Sequence, residues 1–282
     1  MKIIKAEHLG MCFGVRDAIA LAESAARERP LTVLGELVHN QVVLDRLAEK
    51  GITFQNDPAQ VTTARAMITA HGASQKRIAE AKAQGLDVFE ATCPLVHHAH
   101  RAVTELVAGG YYPVIIGRKD HVEVRGITED LAEFSVVQTE EDLARIPARR
   151  RIGIASQTTQ PIDRVTRLVE MIRARFPKSE VRFVDTVCQP TKQRQRAAQD
   201  LAAQADVVVV VGGVNSNNTR ELVRACAKFG ARVHHVQGPA DLEAEWFDGA
   251  RVVGITAGTS TPDDLIAGVE AELRELTVCV EA

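Results

Sequence analysis

Short β-branched and aliphatic runs punctuate the chain at 32–34, 66–69, 114–116, 152–154, 207–211 and 252–255, the fifth being five consecutive valines. Between them lie longer segments with apolar positions at helical spacing, at 15–27, 42–50, 75–84, 95–107, 162–175, 194–203 and 219–229. Strand-length runs alternating with helix-length segments predict βα units and parallel sheets. Gly51, Gly85, Gly109 and Gly230 fall where helix C-caps belong. No Pro- or Ser-rich linker and no low-complexity segment interrupts the pattern, so any subdomains pack closely. Cys12, Cys93 and Cys188 each follow a strand-like run and precede a helical one, which suggests three similar α/β units aiming strand ends at one centre.

Composition narrows this picture without redirecting it. The 282 residues are 45% hydrophobic and 25% charged, an ordinary globular balance. A formal charge of −3 and the lack of a long Lys/Arg run argue against nucleic acid as a main partner. Residues 1–9 contain no apolar core of a signal peptide, and no stretch approaches the roughly 20 apolar residues that span a bilayer. The expectation is a cytoplasmic protein with no membrane partner. Five cysteines spread along such a chain suggest thiols or metal ligands rather than a disulfide framework.

Three groups of residues carry chemistry. The first is Cys12, Cys93 and Cys188, whose spacing matches neither ferredoxin runs nor the CxxC pairs of structural zinc sites. Three thiolates suggest an incomplete ligand set, and a 4Fe-4S cluster held by three cysteines leaves one iron open. Cys226 is different: with Leu222, Val223 and Phe229 it marks an apolar helix face. Cys279 reads as tail. The second group is His39, His71 and His121, each just past a strand-like run and able to donate to phosphate oxygens. Glu123, two residues from His121, is able to move protons. His97, His98 and His100 read as a solvated cluster early in a helix, and His234 and His235 as strand residues. The third group comprises the hydroxyl- and amide-rich turns 156–159, 212–219 and 256–262. The second of these runs from the valine strand into a helix, so its backbone N–H groups suit an anion. Neither a Walker A sequence nor GxGxxG occurs, which counts against nucleotides.

Together these motifs resemble the 4-hydroxy-3-methylbut-2-enyl diphosphate reductase family of the methylerythritol phosphate route to isoprenoids. The resemblance spans nearly the whole chain: G-M-C-F-G-V-R-D-A from Gly10, V-H-N-Q-V-V from Val38, A-H-G-A-S from Ala70, E-A-T-C-P-L-V from Glu90, H-V-E-V-R-G from His121, S-Q-T-T from Ser156, the Cys188 segment ending Arg194-Gln195, G-G-V-N-S-N-N-T from Gly212 and T-A-G-T-S-T-P-D from Thr256. It implies a trefoil of three α/β units (14–93, 94–185, and 186–276 with 1–13) around a central 4Fe-4S cluster on Cys12, Cys93 and Cys188. It also implies that His39, His71, His121, Thr158, Ser216, Asn217, Asn218 and Ser260 bind an allylic diphosphate. Glu123 with Thr158 would supply the proton that releases the substrate hydroxyl as water, and a ferredoxin or flavodoxin would supply electrons. Isopentenyl and dimethylallyl diphosphate would be the products. The chain departs from the family pattern at Val122 (usually Pro), Asn217 (usually Ser), Pro190 (usually Ala) and His98 (commonly Lys). Alternative readings are a non-redox hydro-lyase with an open-iron cluster, a divergent paralogue acting on another allylic diphosphate, and a non-enzymatic iron-sulfur redox sensor. The sensor reading needs a partner-binding element, and no basic helix or tail supplies one.

Overall fold

The computed structural model describes residues 1–280, with side chains through residue 276, so the Cys279 side chain lies outside the described residues. Twelve strands form three four-stranded sheets, all of whose pairs are parallel. One sheet joins β1 (Lys2–Lys5), β12 (Val252–Ala257), β10 (Val207–Val211) and β11 (Arg232–Val236), in that order. A second has β3 (Thr53–Gln55), β2 (Leu31–Leu34), β4 (Arg65–Ile68) and β5 (Asp87–Glu90). The third has β7 (Ser135–Val137), β6 (Tyr112–Ile116), β8 (Arg151–Ser156) and β9 (Glu180–Phe183).

The three orders are one order. Counting strands along the chain, the second and third sheets both read second-first-third-fourth. The remaining sheet reads the same way once the N-terminal β1 is taken as its fourth strand. The second and third sheets therefore have a switch point between their first and third strands, where the connections depart in opposite directions, and β10 and β12 hold the same two positions in the remaining sheet. Open α/β sheets bind ligands at such points, outside the carboxyl ends of the strands.

Packing explains the continuous valine run. Val207, Val209 and Val211 face one core with Ile255, Val269 and Leu273, while Val208 and Val210 face another with Ala198, Leu201, Leu222 and Cys226. A strand covered on both faces has no polar side to show. By contact, the chain divides into two compact units. Met1–Val15, His39–Val43 and Gln189–Ala282 form one, and Arg16–Val38 with Leu44–Cys188 form the other, which holds both the β2 and the β6 sheets. Among the described residues no helix is long and apolar enough to cross a membrane.

Helix ends follow their sequence signals with two adjustments. Gly51, Gly85 and Gly230 adopt positive φ as C-terminal glycines do, but after α4 (Pro94–Ala108) it is Gly110 that does so, Gly109 staying at φ −77°. Phe229, expected on the buried face of α8 (Asn217–Ala227), lies past the end of that helix and is 47% exposed.

Candidate functional site

In the larger unit, the turns after β4, β6 and β8 carry His71, His121 and Thr158. His121 caps the seven-residue helix α5 (Val122–Thr128), its Nδ1 accepting the Glu123 N–H at 3.2 Å. That bond requires an unprotonated Nδ1, so neutral His121 carries its proton on Nε2 as a donor. The His71 and His121 rings meet edge to face, with centroids 5.5 Å apart. The α5 helix starts normally with Val122 in place of the usual proline, because the cap comes from His121 and proline at the first helical position only pre-sets φ.

Glu123 is 1% exposed. Its Oε1 accepts the Thr158 N–H at 2.7 Å and its Oε2 accepts the Thr158 hydroxyl at 3.0 Å. Burial disfavours the carboxylate and these two bonds favour it; burial wins, and the pKa is pushed up to about 7. A carboxyl poised there, with a hydroxyl in contact, is suited to general acid work near neutral pH. The same shift sets a stability trend. Between pH 4.5 and about 7 the folded protein holds a proton that the unfolded chain has released, so stability falls as pH rises through that window. Glu123→Gln removes the titration. Urea unfolding should show the variant gaining on the parent across the window, by on the order of 3 kcal/mol in total; a pH-independent difference would show that Glu123 is not raised.

In the smaller unit the anion-suited turns come together. Ser216 caps α8, its Oγ accepting the Thr219 N–H at 3.3 Å, and Ser216, Asn217 and Asn218 are all buried. Asn218 Oδ1 accepts the Thr259 N–H at 3.0 Å, whereas its buried Nδ2 has no hydrogen-bond partner. An unsatisfied amide donor at a helix N-terminus is costly unless a ligand completes it. Ser260 Oγ donates to the His39 carbonyl at 3.3 Å. Gly213 permits this approach, since a Cβ there would stand 2.5 Å from the same carbonyl oxygen. Asn217, in place of the usual serine, is the first residue of α8 and lies in this buried turn.

The cysteines show a regularity that spacing alone did not reveal. Each follows the fourth strand of its sheet and donates its backbone N–H to the loop after the third strand. Cys12 N–H bonds Thr259 O at 3.0 Å, Cys93 N–H bonds Ala70 O at 3.1 Å, and Cys188 N–H bonds Thr158 O at 3.0 Å. The accepting residues are, or adjoin, Ser260, His71 and Thr158. All three thiols are half-buried, while Cys226 is buried in the core with its thiol pushed up to about 12 by desolvation. Thiol sulfur is the donor chemistry that iron-sulfur clusters take, and each of the three strand-end cysteines offers it. Among the described residues no group of three His, Cys, Asp or Glu side chains is placed to hold a single metal ion.

Comparisons with known proteins identify the family. The family model described as LytB protein matches residues 3–274. The chain belongs to the LytB protein family. Curated relatives in the family include the 4-hydroxy-3-methylbut-2-enyl diphosphate reductase of Geobacter metallireducens, 37% identical over 98% of this chain and 98% of its own length. Another is that of Neisseria meningitidis, 38% identical over 96% of this chain and 87% of its own. Two solved structures share the fold. The Plasmodium falciparum E-1-hydroxy-2-methyl-but-2-enyl-4-diphosphate reductase is 26% identical, with a TM-score of 0.91 over 98% of this chain and 88% of that one. A second, titled as the terminal enzyme of the non-mevalonate pathway, is 35% identical, with a TM-score of 0.70 over 98% of this chain and all of that one.

Two departures from the family pattern are structurally mild. Pro190 lies in the first turn of α7 (Gln189–Ala202), where a missing N–H costs little, and His98 is exposed. His100 corrects the expectation of a solvated histidine cluster: its Nε2 is buried without a hydrogen-bond partner, and burial lowers its pKa. Gly72 and Gly126 pack beside that ring. Gln157, in the 156–159 turn but given no role of its own by the sequence, is fully buried after β8, and its Oε1 accepts from Arg118 N–H and Gln160 Nε2.

Proposed function

We propose that this chain carries out the activity named for its relatives, reductive removal of the hydroxyl from 4-hydroxy-3-methylbut-2-enyl diphosphate to give isopentenyl and dimethylallyl diphosphate. The observation that carries the reading is Glu123, a buried carboxyl raised to about 7 and bonded to Thr158, whose carbonyl in turn holds the Cys188 N–H. The net change is a two-electron reduction. The C–O bond breaks, one proton leaves with the oxygen as water, and a second goes to carbon.

In this reading Cys12, Cys93 and Cys188 hold a 4Fe-4S cluster that supplies the electrons and an open iron for the hydroxyl. The repeated strand order supports a division into three α/β units (14–93, 94–185, and 186–276 with 1–13). The switch-point residues bind the other end of the substrate. His39, His71 and His121 present imidazole donors, and Ser216, Asn217, Asn218 and Ser260 present neutral ones to the diphosphate. Thr158 orients Glu123 and relays its proton toward the leaving oxygen. A small acidic ferredoxin or flavodoxin serves as electron donor, and a thiolate-held cluster suits the reducing cytoplasm.

Binding of the diphosphate tests this half of the site. Losing a hydrogen bond to a charged group costs roughly 1.5–3 kcal/mol, so Asn218→Ala and Ser260→Ala should each weaken affinity by about one to two orders of magnitude in anaerobic calorimetry. Unchanged affinity in both, and in alanine variants of His39, His71 and Ser216, would exclude the site. Asn217→Ser is the specificity arm: if it improves turnover, the parent chain prefers a different allylic diphosphate.

A further inference from the structure

Arg194 belongs to the motif that follows Cys188, and none of the roles described so far uses it. It lies on α7, the helix that begins directly after that cysteine, and it is only 7% exposed. Its guanidinium closes on one carbonyl from two sides: Nε donates to Gly10 O at 3.0 Å and Nη2 to the same oxygen at 2.8 Å. Nη1 donates to Pro190 O at 3.1 Å, in the first turn of its own helix. Gly10 stands two residues before Cys12 at φ +73°, and a Cβ on it would come within 2.8 Å of Ile266 Cδ1. The strand-end segment is thus fixed at three points. Gly10 N–H bonds Ala257 O at 3.2 Å, Arg194 holds Gly10 O, and Cys12 N–H bonds Thr259 O at 3.0 Å.

We propose that Arg194 is a positioning residue for Cys12: it locks the turn that presents this thiolate and couples it to α7, the helix that begins at Gln189, while placing a buried positive charge behind a cluster ligand. Bonds from a charged donor are stronger than neutral ones, and two of them on one carbonyl hold a glycine that would otherwise be free to leave its left-handed conformation. Net charge near a cluster is one of the levers on its reduction potential, and a fixed cation favours the reduced state. The inference rests on the cluster reading above. Lysine keeps the charge but has no planar fork to grip one oxygen twice; glutamine keeps neither.

The experiment compares anaerobically purified holoenzyme with Arg194→Gln and Arg194→Lys, and with Arg196→Gln as an exposed charge control on the same helix. Amide exchange over residues 10–13 and iron release to a chelator should each accelerate at least tenfold in both Arg194 variants. The midpoint potential, followed by electron paramagnetic resonance, should become more negative in Arg194→Gln and stay near the parent in Arg194→Lys. Arg196→Gln should match the parent throughout. Parent-like exchange and iron release in a folded Arg194→Gln would overturn the proposal, as would an equal shift of potential in the Arg196→Gln control. If Arg194→Gln does not fold, Arg194→Lys decides the positioning claim alone by its exchange and iron release. Should the parent itself carry no cluster, the functional reading fails while the exchange result still judges the role of Arg194 in holding the Cys12 turn.

Discussion

Glu123→Gln is expected to slow turnover by about a hundredfold or more while leaving cluster content and substrate affinity close to the parent. Hydroxide is a poor leaving group, so the C–O bond breaks readily only when a proton arrives with it, and general acid catalysis is typically worth about 10²–10⁴-fold. Glutamine keeps the size and, through its one amide oxygen, an acceptor for the Thr158 N–H that now bonds at 2.7 Å, while its NH2 can donate to the Thr158 hydroxyl that now donates at 3.0 Å; it has no acidic proton to give. The defect should therefore fall on kcat, with KM little changed. The parent's pH profile follows from the same carboxyl. The acid form is the active one, so the rate falls as pH rises through about 7, and the variant's small residual rate should lack that limb. Full activity in a cluster-loaded Glu123→Gln would show that the proton comes from elsewhere.

Replacing Cys12, Cys93 or Cys188 singly with serine should abolish stable iron and sulfide binding and all reductase activity, the largest effect predicted for any substitution in the chain. A serine hydroxyl is a far weaker ligand for iron than a thiolate. Cys226→Ser should keep its iron, because that side chain packs with Ala198, Leu201 and Leu222 in the core and contributes only folding stability. Iron and sulfide analysis of the four variants, each checked for folding by circular dichroism, separates ligands from core. Full iron content in any one of the three would remove that cysteine from the ligand set.

The strands visible in the sequence were the central ones. β2, β4, β6, β8, β10 and β12 are interior to their sheets and, but for the charged first residues of β4 and β8, read as apolar runs. The strands that were not legible are the sheet edges: Thr-Phe-Gln in β3, Asp-Val-Phe-Glu in β5, Ser-Val-Val in β7, Glu-Val-Arg-Phe in β9 and Lys-Ile-Ile-Lys in β1. Edges are short and carry polar or charged residues, so they lack the signal that burial on both faces imposes. Only His234 and His235 hinted at the remaining edge, β11. The candidate residues stood out because they fall on strand-end turns or in the first turn of the helix that follows, and the resemblance supplied the roles expected of them. What sequence did not show was backbone: the N–H of each cysteine bonded to the turn beside it, the His121 cap that fixes its tautomer, and the burial of Glu123. None of these depends on side-chain identity alone. His100 was misjudged for a related reason, since its ring packs beside Gly72 and Gly126, which are distant in sequence.

Reductive dehydroxylation of an allylic diphosphate is tested most directly by anaerobic turnover. Purified chain, reconstituted with iron and sulfide and supplied with a low-potential donor, should convert 4-hydroxy-3-methylbut-2-enyl diphosphate to isopentenyl and dimethylallyl diphosphate, consuming two electrons per substrate. Electron-independent dehydration, or an intact cluster with no conversion of this substrate, would contradict the account.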